Sequence, residues 1–305
     1  MAGPLPTPAL DALLRRAEGL LARLEALVPA VAPETDFAAS LAFRYRRRPG
    51  QMQPGVLEPV RRIAAIRLDD LKEVEPQKRR LIENTEQFVS GRSANNVLLT
   101  GARGTGKSSL IRACLQAYAD RGLRLIEVDK DDLVDLPAIA ERVGGRPERF
   151  VVFCDDLSFD AGEPGYKALK SMLDGSVAAA SDNMLVYATS NRRHLLPETM
   201  KENLAATYDE NGELHPGEAV EEKISLSERF GLWLSFYPFS QAEYLAIVDQ
   251  WLRHYGLAEP HVQALRAEAL VWALERGSRS GRVAWHFARD RAGRLDASPS
   301  GTGEA

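Results

Sequence analysis

The chain begins with a pattern typical of an amphipathic helix. Apolar residues recur every three or four positions across residues 8–28, from Leu10 to Leu27, and Pro29 and Pro33 follow. This spacing places the apolar side chains on one face of a helix, and the prolines predict where the helix ends. Because such a face needs a cover, we expect the helix to pack on the rest of the chain or on a partner.

From residue 68 onward, short and continuous apolar runs alternate with helical segments. A turn and a helix are predicted over residues 68–91, before the first run. Continuous apolar runs of this length are typical of strands in a parallel sheet that helices cover on both faces. The pattern therefore predicts an α/β domain built on five parallel strands. The five runs are NVLLTG (96–101), LRLIEVD (123–129), FVVFCDD (150–156), NMLVYATSN (183–191) and LWLSFYPF (232–239).

The pattern becomes wholly helical after the last apolar run. Ser240 and Glu243 are spaced as a capping box, which predicts the start of a helix that ends near Gly256. A second helix is predicted over residues 260–276, and a third begins near Gly281. We therefore predict an N-terminal helical extension and linker (1–67), an α/β domain (68–239), a small helical domain (240–294) and a disordered tail (295–305).

Two charged segments lie outside these elements. Residues 198–223 contain eight acidic and two basic residues without a period, which predicts a long loop. Residues 44–48 contain four arginines around Tyr45. A basic run with an aromatic residue is able to contact phosphates, but a solvated connector is the interpretation that ordinary charge patterning favours.

The composition adds exclusions to this picture. Hydrophobic residues make up 45% of the chain and charged residues 27%, and the net charge of −4 excludes a global attraction to nucleic acid or to an anionic membrane. The two cysteines, Cys114 and Cys154, lie in apolar runs, so we expect buried free thiols rather than a disulfide or a metal site. No stretch approaches about 18 consecutive apolar residues, and the N-terminus lacks the pattern of a secretory signal. We expect a soluble, cytoplasmic protein without membrane contact.

The strongest chemical signal is a phosphate-binding loop. The segment GARGTGKS matches the pattern G-x-x-x-x-G-K-[ST], with a predicted strand before it and a predicted helix after it. Backbone N–H groups of such a loop face a β-phosphate, the lysine reaches the β- and γ-phosphates, and the hydroxyl binds Mg²⁺. The pattern predicts a site for ATP and Mg²⁺; the alternative is a glycine-rich turn without a ligand. The predicted nucleotide-binding residues are Gly101, Ala102, Arg103, Gly104, Thr105, Gly106, Lys107, Ser108 and Ser109, with Ser108 as a metal ligand.

Polar residues end two other predicted strands. Asp155 and Asp156 follow the third run, and Asn191 ends the fourth. Beside the phosphate loop, Asp155 is expected to bind Mg²⁺, and Asp156 is in the place of a general base that orients the attacking water. Asn191 is expected to hold that water opposite the γ-phosphate. The alternative for all three residues is that they only end strands or form turns.

The order of phosphate loop, acidic strand end, strand-end asparagine and helical domain resembles the AAA+ ATPases. More narrowly, the chain resembles a bacterial AAA+ family described only as a domain of unknown function. The resemblance covers about residues 68–294 and implies that residues 240–294 form a lid over the nucleotide. The matching segments include NNVLLTGARGTGKSSL, CDDLSF, YATSNRRHL, HPGEAVEEKISLSERFGLWLSFYPF and ERGSRSGRVAWHFARD.

The resemblance also implies the roles of two arginines. Arg229 stands where AAA+ proteins place an arginine that reaches the nucleotide of the neighbouring subunit; the alternative is a surface ion pair with Glu228 or Glu222. Arg282 stands at the start of a lid helix, where the family places a sensor that contacts phosphate within the same subunit, and Arg279 competes for that role. These roles imply a homo-oligomer with sites at its subunit interfaces.

The lead-in segment DDLKEVEPQKR resembles the part of AAA+ proteins that lies along the adenine. The resemblance therefore implies that Val74 and Gln77 line the base pocket. The segment after the second run has no aromatic residue, which disfavours the threading of peptides by an aromatic loop.

One residue departs from the AAA+ pattern. Most AAA+ hydrolases have Asp-Glu at the acidic strand end, whereas this chain has Asp-Asp, so Asp156 is one methylene shorter and either sits farther from the water or requires a shifted backbone. The resemblance implies an oligomeric ATPase that remodels or loads a macromolecular partner. The alternative is a slow ATP-dependent switch or scaffold. An association with nucleic acid, motivated by residues 44–48 and 192–193, is the weaker hypothesis.

Overall fold

The computed structural model describes residues 7–27, 35–47, 55–159, 163–174, 182–192, 207–208, 214–215 and 226–296, and the structural statements below concern these residues. The predicted N-terminal helix is present as α1 (Thr7–Leu27). Four of its leucines are exposed, from 45% at Leu10 to 67% at Leu13. The predicted tail lies outside the described residues from position 297 onward.

The sheet contains the five predicted strands and two more. Its strand order is β2-β1-β4-β5-β6-β3-β9; β1 and β2 are antiparallel and every other neighbouring pair is parallel. A separate two-stranded antiparallel pair, β7 with β8, lies in the segment that we predicted as a loop. The strands are β1 (Ala42–Arg46), β2 (Val56–Pro59), β3 (Val97–Gly101), β4 (Leu123–Glu127), β5 (Arg149–Cys154), β6 (Met184–Ser190), β7 (Thr207–Tyr208), β8 (Leu214–His215) and β9 (Leu232–Phe236).

The prediction of a solvated connector around residues 44–48 was wrong for β1. Phe43 and Tyr45 are 0% and 1% exposed, whereas the arginine between them points to the other side of the strand and bonds Glu127 at 2.7 Å. Alternation of apolar and polar residues is the period of a half-buried strand, but the arginine run hid it. β1 therefore extends the sheet beside β4 as a mixed, mostly parallel sheet.

Both faces of the central strands are buried, as the continuous apolar runs predicted. Along β5, Val151 and Phe153 join one apolar cluster, while Phe150 and Val152 join the cluster on the opposite face. Cys114 and Cys154 are buried free thiols, and burial raises the pKa of each to about 12. The helices that follow the first strands are α2 (Glu75–Val89), α3 (Lys107–Tyr118), α4 (Leu136–Val143) and α5 (Pro164–Leu173).

Four helices follow β9. The predicted capping box is present, because Ser240 N donates to Glu243 Oε2 at 2.6 Å and Glu243 N donates to Ser240 Oγ at 3.3 Å. The helix predicted over residues 260–276 is divided in two at Leu265. The helices are α6 (Gln241–His254), α7 (Glu259–Ala264), α8 (Arg266–Glu275) and α9 (Gly281–Asp296). Among the described residues, no helix is long and apolar enough to cross a bilayer.

Candidate nucleotide-binding site

The predicted phosphate-binding loop connects β3, a strand inside the sheet, to the N-terminus of α3. Gly101, Gly104 and Gly106 have φ values of 123°, 73° and 97°, in the left-handed region that favours glycine. At Gly101 an added Cβ would lie 1.9 Å from the carbonyl oxygen of Phe236 on β9. The loop thus has the curled backbone and the helix N-terminus that bind phosphate groups.

Lys107 is buried beneath this loop. Its ammonium group donates to the carbonyl oxygens of Gly101 and Ala102 at 2.8 and 2.7 Å, and to Asn191 Oδ1 at 3.1 Å. Burial lowers the pKa of Lys107 to about 8, against the opposing effect of the nearby carboxylates of Asp156 and Asp155. The ammonium group of Lys107 therefore lies where it can exchange these carbonyl oxygens for the oxygens of a phosphate group bound to the loop.

The carboxylate of Asp155 lies against the hydroxyl of Ser108, as the sequence predicted. Ser108 Oγ donates to Asp155 Oδ1 at 2.5 Å, and Thr189 Oγ1 donates to the same oxygen at 2.6 Å. A guanidinium nitrogen of Arg112, on α3, lies 3.7 Å from Asp155 Oδ2. A hydroxyl and a carboxylate are hard oxygen donors of the kind that Mg²⁺ prefers. The donor set therefore fits Mg²⁺, which Ser108 and Asp155 would hold.

Asp156 is held by two contacts from β6. Asn191 Nδ2 donates to Asp156 Oδ1 at 2.5 Å, and the Asp156 backbone N donates to Thr189 Oγ1 at 2.9 Å. Its φ is 51°, which few residues other than glycine, asparagine and aspartate tolerate.

A cavity of about 760 Å³ joins these groups to the C-terminal helices. One wall comes from the phosphate-binding loop and α3, a second from the residues that precede α2, and a third from α6 and α9. Its dimensions suit a nucleotide, since ligand cavities are commonly about 300–1,000 Å³. Among the described residues no group of three or more histidine, cysteine or acidic side chains could hold a metal ion by itself.

The N-terminus of α9 rests on the phosphate-binding loop. Gly281 N donates to the carbonyl oxygen of Gly104 at 2.9 Å, and Arg282 lines the 760 Å³ cavity. Arg279 instead lines a neighbouring cavity of about 710 Å³. Both cavities touch the phosphate-binding loop, but only the cavity that Arg282 lines also contains Lys107, Ser108 and Asp155.

Of the two residues predicted for the base pocket, one lines the cavity and the other does not. Val74 lines the cavity at the start of α2, with only 3% of its surface exposed. Gln77 is not among the cavity-lining residues; its amide donates to the carbonyl oxygen of Ser235 on β9 at 2.8 Å. The prediction for Gln77 was wrong, because the side chain is turned toward the sheet edge. Ala64, Ala65, Ile66 and Leu71 line this end of the cavity instead.

Arg229 lies in the segment before β9 and is not among the residues that line the chain's own cavity. Its guanidinium forms an ion pair with Asp174, at the C-terminus of α5. The sequence-based alternative named Glu228 or Glu222 as its partner; of these, residue 222 lies outside the described residues. Arg229 is therefore positioned by a carboxylate that the sequence did not indicate.

The sequence analysis missed two residues that contact Asp155. Thr189 is 2% exposed and connects the ends of β5 and β6, yet a threonine inside an apolar run reads as an ordinary strand residue. Arg112 lies four positions beyond Ser108 on α3, so the two side chains share a helix face. That spacing was the signal available for Arg112. Thr189 carried none beyond its position two residues before Asn191.

The strand order and the phosphate-binding loop give the chain an AAA+-like fold. Two solved structures with this fold are similar to it at a TM-score of 0.50 and 16% identity. A mutant of RuvB from Thermotoga maritima matches over 77% of this chain and 68% of that one. The Orc1 protein of Aeropyrum pernix, in complex with DNA, matches over 75% of this chain and 64% of that one. At this identity the similarity shows the fold alone.

The sequence itself assigns the chain to a family. Residues 38–295 match the model of the family described as "Protein of unknown function (DUF815)", and the chain belongs to that family. The resemblance stated from the motifs is confirmed. A comparison with curated proteins gave no significant match.

Proposed function

We propose that the protein is a Mg²⁺-dependent ATPase that hydrolyses ATP at the interfaces of a homo-oligomer, and that its ATP cycle remodels or loads a partner macromolecule. The observation that carries the proposal is that the phosphate-binding loop, the acidic strand end and the strand-end asparagine form one hydrogen-bonded network. Lys107 bonds Asn191, and Asn191 bonds Asp156. Ser108 bonds Asp155. The hydroxyl of Thr189 connects Asp155 to the backbone of Asp156. Groups for phosphate, metal and water are thus held within one site.

Each member of the network has a distinct role in the proposal. Lys107 binds the β- and γ-phosphates, and Ser108 and Asp155 hold Mg²⁺, which neutralises charge on those phosphates. Asp156 accepts the proton of the attacking water. Asn191 orients that water, and its present bonds to Lys107 and Asp156 show that its amide reaches both groups.

The oligomer follows from Arg229. An arginine that supplies charge to the γ-phosphate stabilises the transition state, and Arg229 does not line the cavity of its own chain. A neighbouring subunit would receive it instead. In the same proposal α6–α9 act as a lid, because the bond from Gly281 to Gly104 couples the position of α9 to the phosphate-binding loop.

Two measurements test this function together. Specific ATPase activity in Mg²⁺ should rise with protein concentration, because each site needs a second subunit. Light scattering should give a larger assembly with ATP than with ADP. Specific activity that is constant from nanomolar to micromolar protein, together with a monomer in both nucleotides, would contradict the oligomeric mechanism.

A second candidate is a switch or scaffold that binds ATP and hardly hydrolyses it. The observation that favours it concerns Asp156. Its carboxylate already accepts a hydrogen bond from Asn191, and its backbone is left-handed. A base that is held in this way needs a rearrangement before it can accept a proton from water. An Asp156→Asn variant with the same slow turnover as the wild type would support the switch.

The structure gives less support to an association with nucleic acid. Arg44 and Arg47, two of the four clustered arginines, form ion pairs with Glu127 and Asp135. Arginines that are paired with carboxylates neutralise little phosphate charge. Weak binding of duplex DNA without a steep salt dependence is the expected result.

A further inference from the structure

One face of α9 presents aromatic and basic side chains to the cavity. Arg282, Trp285, His286 and Arg289 follow the spacing i, i+3, i+4 and i+7, which places them on the same side of the helix. The first three line the 760 Å³ cavity. This face therefore continues from the phosphate-binding loop along the cavity wall.

Trp285 lies outside both apolar clusters of the described residues. Trp251, which also lines the cavity, and Trp272 pack against the core, whereas Trp285 belongs to neither apolar cluster and is partly buried. The guanidinium of Arg289 lies 5.3 Å from the centre of its ring, and the ring of His286 meets it edge-on at 5.0 Å. An indole that is fixed by its neighbours but left out of the core is suited to a ligand.

The position of Trp285 along α9 points to the nucleoside end of the cavity. The helix starts on the loop, where Gly281 N donates to Gly104 O at 2.9 Å. At about 1.5 Å per residue, Trp285 lies roughly 6 Å farther along the helix axis than Gly281. The wall contributed by the residues that precede α2 is apolar at Ile66, Leu71 and Val74, and it lines the same cavity as Trp285. An apolar wall and an indole in one cavity are suited to a flat aromatic ring.

We propose that Trp285 stacks on the base of the bound nucleotide and is the main aromatic contact that distinguishes a nucleotide from a bare triphosphate. This inference rests on the proposed nucleotide site and adds the group that reads the base. With Arg289 on one face of the indole, the opposite face takes the base. Stacking requires a π-face but no hydrogen-bond pattern, so ATP and GTP gain from it to a similar extent.

The test compares ligands with and without a base. Binding of Mg²⁺-ATP, Mg²⁺-GTP and Mg²⁺-tripolyphosphate is measured by calorimetry for the wild type, Trp285→Ala and Trp285→Phe. Removal of one stacking ring should weaken ATP and GTP roughly tenfold to hundredfold. Tripolyphosphate affinity should remain within about twofold of the wild type, because the phosphate contacts are intact. Trp285→Phe should keep most of the ATP affinity.

Leu274→Ala is the matched control, since Leu274 is a large apolar residue on α8 that is 81% exposed and does not line this cavity. It should bind all three ligands like the wild type. An equal loss of ATP and tripolyphosphate in Trp285→Ala would overturn the inference, because the side chain would then act through the position of α9. Unchanged ATP affinity in that variant would overturn it while the nucleotide site stands. A wild type that binds none of the ligands would refute the nucleotide site itself.

Discussion

Asn191 donates its side-chain amide to the carboxylate of Asp156 at 2.5 Å. Because Asp156 follows β5 and Asn191 follows β6, this bond joins the ends of two neighbouring parallel strands. Asn191 also accepts from Lys107 at 3.1 Å. A phosphate that draws Lys107 away from Asn191 therefore changes the contacts of Asp156, and the phosphate-binding loop and the proposed base respond together.

Asp156→Asn should lower ATP turnover by about 100-fold or more, because an amide cannot accept the proton of water. Asparagine tolerates the left-handed backbone at position 156, so nucleotide affinity and the free energy of unfolding should change little. Single-turnover hydrolysis and denaturant unfolding measure the two effects. Unchanged hydrolysis would favour the switch over the ATPase.

Asp156→Glu should lower the free energy of unfolding by about 1 kcal/mol, although glutamate is the usual AAA+ residue at this place. The reason is that a longer side chain without local backbone bonds disfavours a φ of 51°. Urea denaturation of this variant beside Asp156→Asn measures the difference. A glutamate variant that is as stable as the wild type would show that the left-handed backbone does not select aspartate.

Thr189→Val should disturb both acidic residues at once. Valine has the same shape but removes the donor to Asp155 Oδ1 and the acceptor of Asp156 N, in a position that is 2% exposed. Loss of such buried bonds costs about 1–3 kcal/mol of unfolding free energy. The Mg²⁺ concentration for half-maximal turnover should also rise. Thr189→Ser is the control, and it should restore both properties; a serine variant as weak as valine would mean that the methyl group, not the hydroxyl, matters.

The sequence predicted the parts of the site that a local pattern marks in the chain. The phosphate-binding loop, Asp155, Asp156 and Asn191 were found because strand ends and a local motif mark them, and parallel strands bring such ends to one edge of a sheet. Other contacts join segments far apart in sequence and left no local signal. Asp174 pairs with Arg229 across 55 positions, and Gln77 reaches Ser235 across 158.

The fold, like the site, was predicted where a local pattern marks it. Five strands were recognised by continuous apolar runs, but β1 was missed because its outward arginines matched the pattern of a charged connector. Its inward residues Phe43 and Tyr45 carried the true period. Tyr45 is then fixed by a buried bond, since its hydroxyl accepts from Gly55 N at 2.5 Å, and this partner depends on how the intervening segment returns as β2.

Arg282→Ala should weaken ATP binding roughly tenfold, because a charge-assisted bond to phosphate is lost. Arg279→Ala is the matched control: it removes the same charge three positions earlier, but from a residue that lines the neighbouring cavity. Its ATP affinity should stay within about twofold of the wild type. Calorimetry of both variants decides the sensor. A larger loss in Arg279→Ala would reverse the assignment.

Arg229→Ala should keep ATP affinity and lose most turnover, because the residue acts on a neighbour's γ-phosphate. A mixture of Arg229→Ala with Lys107→Ala should regain activity, since mixed assemblies contain sites with an intact loop beside an intact arginine. Asp174→Ala releases the arginine from its ion pair and should not abolish turnover. No recovery in the mixture, in assemblies shown to exchange subunits, would rule out action between subunits.

Lys107 should make stability depend on pH. Its pKa is lowered from 10.5 in the unfolded chain to about 8 by burial. Below pH 8 the lysine is charged in both states, and the folded protein bears the cost of burying that charge. Between about pH 8 and 10.5 the folded state loses the proton first, so this group's contribution to the unfolding free energy rises with pH. The unfolding free energy of the wild type relative to Lys107→Met, which does not titrate, should therefore rise as the pH is raised from 8 to 10.

The same pKa predicts the proton balance of ATP binding. Phosphate requires the charged ammonium, and at pH 8.5 a lysine with a pKa of about 8 is mostly neutral before binding. Binding of Mg²⁺-ATP should therefore be accompanied by proton uptake at pH 8.5 and by little uptake at pH 6.5. Calorimetry in buffers of different ionisation enthalpy measures this uptake. Lys107→Arg is charged throughout this range, so its binding should lack the uptake at pH 8.5. Equal proton uptake by the wild type and by Lys107→Arg would mean that a group other than Lys107 takes up the proton, and would contradict the lowered pKa inferred for Lys107.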